Sequence, residues 1–210
     1  MFGLKRKKMF GSPIVQAMIG LCGKLSGSLT INCDNPLQAG TEDTLVLVNW
    51  EDWLDAALTL NVSNEQIIED IILPSGTIAY TMEGKNNSIA PKFELVKQPY
   101  AEVYNHELNY KVFGVNAAAK AQLEKKAKGR FVAIVYNKYK GSSGESAFEV
   151  YGADAGLVVT QMIRDVNSQD TQGAFDIILK TSEQSMEPHM PKTLYITSYA
   201  ATKALVEGLL

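Results

Sequence analysis

The chain has 210 residues, 46% hydrophobic and 20% charged, a globular composition that excludes a disordered protein. A formal charge of −3 excludes a nucleic-acid or membrane binder that works by bulk charge. Two cysteines exclude a disulfide scaffold and a four-cysteine zinc site, and no apolar run approaches the ~18 residues of a membrane helix.

The small net charge hides an asymmetry. Residues 25–84 contain ten acids and no Lys or Arg, so the rest of the chain carries +7. Four of those positive charges are consecutive: Lys5, Arg6, Lys7 and Lys8. Two readings stand: acids that solvate loops and edges, or a two-faced particle that stacks on copies of itself, acidic end to basic end. Residues 1–23 have the outline of a signal peptide, a basic start followed by the apolar stretch 14–22. Pro13 and Gln16 interrupt it, no A-x-A-like site follows, and Leu21 before Cys22 fits a lipoprotein signal poorly. Residues 1–24 are therefore read as a basic arm held by a neighbouring copy, and 25–210 as one domain.

Strand signals dominate from there. Residues 45–49 (LVLVN) form a short apolar run after a Gly/Asp turn signal, and 57–62 follow beyond a connection at 50–55. Residues 67–73 fit a helical face with a Ser63/Gln66 capping box, but their β-branched content and the Pro74–Ser75–Gly76 turn behind them favour a strand. Residues 77–82 read as its return strand. Residues 104–112 alternate fully: Tyr104, His106, Leu108, Tyr110 and Val112 on one face, Asn105, Glu107, Asn109 and Lys111 on the other. With 92–97 across the Gln98–Pro99 break they predict a hairpin. Asn116 caps a helix over 117–128, with Lys125, Lys126 and Lys128 at the negative end of its dipole and Gly129 at C′. Residues 130–136 (RFVAIVY) are apolar on both faces and predict a central strand. Residues 140–145 (KGSSGE) are a turn, and strands follow at 147–151, 157–164 and 174–181. Pro188 and Pro191 bracket a rigid loop before an edge strand at 192–197 and a short terminal helix at 199–209. The fold class is mainly β: an antiparallel β-sandwich or partial barrel, with one flanking α-helix at about 116–128 and a short C-terminal helix.

Catalytic signatures are absent from the sequence. It has no H-E-x-x-H, no G-x-S-x-G, no Walker A loop and no G-x-G-x-x-G after a strand. His106, on the apolar face of a regular strand, reads as a structural histidine, and His189 as a loop residue. Cys22 and Cys33, eleven apart, fit no redox or metal spacing and read as buried small hydrophobes, with a disulfide left open. Trp50 and Trp53 flank two acids and could form a sugar platform; a core or interface anchor is the simpler reading. No catalytic residue, cofactor or metal ligand is assigned, and no enzyme is expected.

Several segments resemble the major tail (tail tube) proteins of long-tailed bacteriophages. They are LPSGTIAY at 73–80, GKNNSIAPKFEL at 84–95, the strand 104–112 before the helix, NKYKGSSGESAFEVYGADAG at 137–156, TQGAFDIIL at 171–179 and PKTLY at 191–195. CDNPLQAGTEDTLVLVNW at 33–50 is similar, more loosely, to the N-terminal part of phage structural proteins. The resemblance implies a homo-oligomeric structural virion protein of the tail, assembled in the host cytoplasm. Rings of six copies would stack into a tube, contact other tail proteins and pass DNA as a transient, non-specific cargo, without membrane insertion. In such a tube the polar face Asn105, Glu107, Asn109 and Lys111 is expected to line the lumen, and the charge asymmetry to set Lys5–Lys8 or the helix end with Lys125, Lys126 and Lys128 against the acidic third of the next ring. Another tail or neck component, the inner tube of a contractile injection machine and a carbohydrate-binding module are the alternatives.

Overall fold

The computed structural model describes residue 25 and residues 27–210. The chain falls into two units, Met1–Pro36 and Leu37–Leu210. The described residues of the first contain no helix or strand. The second is built from β1 (Thr41–Asn49), α1 (Trp50–Leu54), β2 (Ala57–Asn61), β3 (Asn64–Ile72), β4 (Tyr80–Glu83), β5 (Ile89–Gln98), β6 (Ala101–Val112), α2 (Ala117–Lys126), β7 (Arg130–Asn137), β8 (Phe148–Tyr151), β9 (Leu157–Arg164), β10 (Phe175–Lys180), β11 (Lys192–Leu194) and α3 (Tyr199–Gly208). The protein is mainly β, as the sequence predicts.

The eleven strands join one sheet in the order β2-β3-β11-β8-β7-β9-β10-β6-β5, with β1 bridging β7 and β4. Strand β7 is the hub: it pairs β1 along its length, β9 at Arg130 and Phe131, and β8 from Ala133 to Tyr136. Both β1 and β7 are apolar on both faces because each face meets its own core. Val46, Val48, Val132, Ile134 and Tyr136 enter one cluster with Trp53, Ile68, Ile71, Phe148, Leu194 and Val206. Leu45, Leu47, Phe131, Ala133 and Val135 enter the other with Leu108, Tyr110, Leu123, Leu157, Ile177 and Leu179. The β1–β7 pair is thus a septum between two apolar layers, a sandwich-like arrangement. Burying such a side chain stabilises by roughly 1.5–3 kcal/mol, so the septum anchors the unit.

Local expectations meet the structure residue by residue. Asn116 caps α2, its Oδ1 accepting from the Ala119 N–H at 2.8 Å. Strand β3 replaces the alternative helix. Four details differ. The 50–55 connection is the short helix α1. Helix α2 closes on Ala127 in right-handed geometry, and Gly129 is not left-handed. Strand β4 pairs β1 rather than returning along β3. Strand β11 is no edge: it lies between β3, to which it is parallel, and β8, so the sheet is mixed rather than wholly antiparallel. Its Leu194 is fully buried, which an edge position at a three-residue strand would not provide. Gly144 in the 140–145 turn has φ +94°, and a Cβ there would come within 2.6–2.8 Å of Tyr199; glycine is what lets α3 start against this turn.

Candidate functional site

Strand β6 pairs β5 from Ala101 to Tyr110 and β10 from Glu107 to Val112. Its apolar face goes to the core: Leu108 and Tyr110 are buried with Ile177 and Leu179 of β10. The other face carries Asn105, Glu107, Asn109 and Lys111 together, and none of the four joins either apolar cluster. Register aligns Lys92, Glu107 and Lys180 in one row across three strands. Lys92 Nζ lies 3.0 Å from Glu107 Oε1, and Lys180 Nζ 2.8 Å from Oε2. One row along, Asn105 donates to Glu94 at 2.9 Å and accepts from the Thr181 hydroxyl at 3.0 Å. On the far side Lys111 meets Asp176 at 3.4 Å. Asn109 is half-buried between Ala90 and Ile178.

The electrostatics of this face are self-contained. The Glu107 side chain is 11% exposed, whereas Lys92 is 62% and Lys180 37% exposed. Burial alone would raise the Glu107 carboxyl; hydrogen bonds and charge from Lys180 and Lys92 overcome it and hold the group below the ordinary glutamate value. The Glu107 hydrogen bond raises Lys180 in return. Lys92 and Lys180 share Glu107, Lys111 pairs Asp176, and Glu94 takes the Asn105 amide, so three lysines and three carboxylates leave the face of the three strands with no net charge. Sequence reading found the β6 half of this face; Lys92, Glu94, Asp176, Lys180 and Thr181 come from its neighbours. The alternation of Asp176 and Lys180 with Ile177 and Leu179 was a usable signal for β10, but the register was not.

The sheet branches at β7, and among the described residues three of its strands have an open edge: β2, β5 and β4, which pairs only β1. Strand β2 pairs only β3, and Ala57–Leu60 are exposed. Strand β5 pairs only β6. The Lys111 N–H donates to Ser88 O and the Thr41 hydroxyl to Ile89 O. That fixes the phase: Phe93, Leu95 and Lys97 turn their backbone groups away from β6. Phe93 and Leu95 are also 43% and 49% exposed.

The remaining expected site residues divide. Lys5, Arg6, Lys7, Lys8 and Cys22 lie outside the described residues. Lys125 and Lys128 are exposed, as a stacking contact requires. Lys126 is a correction: it is 8% exposed and points inward, donating to Tyr110 Oη at 2.9 Å and reaching Met82 Sδ at 3.1 Å. Burial without a carboxylate pulls its pKa down to about 8. Position 126 is three residues from buried Leu123, on the same face of α2, and this is why it turns inward. Cys33 is a second correction, being exposed rather than buried. Trp53 is 2% exposed and donates its Nε1–H to Ala153 O at 2.9 Å, so it anchors the core and offers no sugar platform. Trp50 packs against the same core and carries the Arg130 guanidinium 5.6 Å over its ring.

His106 is structural. The Gly152 N–H donates to its Nδ1 at 3.1 Å, so Nε2 bears the proton and donates to His189 O at 3.0 Å. Burial lowers its pKa to about 4. Beside it, Glu187 exchanges backbone hydrogen bonds with Tyr104 and accepts from the Asp154 and Ala155 N–H groups at 3.0 and 2.8 Å. Burial pushes this carboxyl up to about 7. Neither residue was assigned a site from sequence. Together they pin the 182–191 loop to β6 and to the β8–β9 turn. Among the described residues no three His, Cys, Asp or Glu side chains are grouped to hold a metal ion. Comparison of the chain with protein families, with curated sequences and with solved structures finds no match.

Proposed function

We propose that this chain is a structural virion protein that assembles into stacked rings of six copies, forming a phage tail tube through which DNA passes. The observation that carries the reading is the sheet. Open edges at β2 and β5 stand at opposite ends of the main strand order, with a third at β4 on the branch, and next to the β5 edge lies a broad face of charged side chains. An open edge with exposed apolar side chains is a liability in a monomer and an adhesive in an assembly. Pairing one copy's edge with the next closes a ring of sheets, while ring-on-ring contact is heterologous and extends without closing. The resemblance of the segments between 73 and 195 to tail tube proteins points the same way.

In this arrangement the β5–β6–β10 face lines the lumen and presents DNA with no net positive charge. Stacking falls to the acidic third. Among the described residues Glu42 is the one acid of its ten in an ion pair, with Lys140 at 2.9 Å, which leaves nine to face the exposed Lys125 and Lys128 or the basic arm of the next ring. Negative-stain microscopy of the purified full chain tests the reading. Long tubes of uniform diameter support it; a monomer that persists at high concentration overturns it.

A further inference from the structure

The Lys92–Glu107–Lys180 row has the geometry of an occupied anion site. Two ammonium groups from different strands, β5 and β10, converge on the two oxygens of one carboxylate from the strand between them. A phosphate oxygen pair spans the same kind of gap, and two lysines at about 3 Å are what a phosphodiester would need. Both lysines reach solvent, at 62% and 37% side-chain exposure, so an external anion can approach them; Glu107, at 11%, lies beneath. The surrounding groups do not replace it. Glu94 is committed to the Asn105 amide, and Asp176 to Lys111.

We propose that Lys92 and Lys180 form a latent binding site for the phosphate groups of a nucleic acid, and that Glu107 keeps it closed by occupying it in place of phosphate. The inference rests on the reading of this face as the wall of a DNA conduit. It assigns to one carboxylate the property such a wall needs, which is lysines that structure the sheet without gripping the cargo. In a tube the same row recurs in every copy, so opening the site would multiply weak contacts along the DNA.

Anisotropy of a labelled short DNA duplex titrated with the full-chain protein, at low and at moderate salt, tests this. Glu107→Gln keeps the shape and removes the charge. Its affinity for duplex is expected to rise about tenfold over the parent at low salt and to fall back as salt increases. Adding Lys180→Gln to Glu107→Gln abolishes the gain. Glu124→Gln, the same charge change at an exposed position on α2, produces none. Equal gains from Glu107→Gln and Glu124→Gln would make this a bulk-charge effect and overturn the proposal, as would no gain in a Glu107→Gln protein that melts like the parent. Glu107→Ala serves if the Gln variant does not fold; if neither folds, Glu107 is a folding residue and the proposal falls. Tube formation is scored separately by microscopy: tubes without a binding gain sink this inference and leave the assembly reading standing.

Discussion

Glu107, on strand β6, and Glu187, bonded to it, are both nearly inaccessible and burial raises both, yet their carboxyls shift in opposite directions. Glu187 faces backbone N–H groups and no cation, and desolvation pushes its carboxyl up to about 7. Glu107 sits between two ammonium groups, and they hold it below the ordinary value despite burial. The difference separates two kinds of polar structure in one β-sheet. Around Glu187 the polar atoms close a fold: remove one and buried donors lose their acceptor. Around Glu107 they dress a surface whose lysines stay hydrated.

The widest gap between the two regions should appear on truncation. Glu187→Ala leaves the Asp154 and Ala155 N–H groups without their acceptor, and thermal unfolding should show a loss of about 4 kcal/mol. Glu107→Ala breaks two ion pairs but leaves both lysines in reach of solvent, and should cost no more than about 1 kcal/mol. Equal losses would erase the distinction.

A pH series sharpens it. Glu187, with its folded pKa above the unfolded one, stabilises fully below about 4.5 and loses that contribution as pH rises to about 7. His106, with its folded pKa lowered to about 4, behaves oppositely: its contribution is complete above about 6.5 and lost as pH falls through 4. The two offset each other in between, so wild-type stability should be nearly flat there for this pair. Glu187→Gln removes one side, and denaturant unfolding of that variant should then weaken by about 3 kcal/mol from pH 6.5 to pH 4. A variant as flat as the parent would show that the histidine is not held neutral.

Lys126 extends the comparison to cations. Unlike Lys92 and Lys180 it meets no carboxylate among the described residues, and its amine reaches Tyr110 and Met82. Its folded pKa is lowered to about 8, so its burial penalty is complete below that and relieved as pH approaches the unfolded lysine value. Stability should therefore rise above pH 8 by up to about 3 kcal/mol, and Lys126→Met should lose that rise. A Lys126→Met protein with the same alkaline gain would place its origin elsewhere.

What the sequence disclosed follows from how local each signal is. The septum was legible because 45–49 and 130–136 are apolar at consecutive positions, which only a strand buried on both faces tolerates. The β6 polar face was legible because alternation is a property of one strand. The pairing of β4 with β1 and the interior place of β11 were not, since a partner distant in sequence leaves no mark on a strand of three or four residues. Lys126 was read with its neighbours as part of a basic helix end, although its spacing from Leu123 puts it on the buried stripe. The Glu107 clamp needed the register of three strands at once, and alternation within each strand leaves register undetermined.

The claim on which the rest depends is that the β5–β6–β10 face lines a channel. Helical reconstruction of the assembled protein by electron cryomicroscopy tests it most directly. The expected map is a hollow tube with Asn105, Glu107, Asn109 and Lys111 on its inner wall; the same side chains on the outer surface or buried between rings would contradict it.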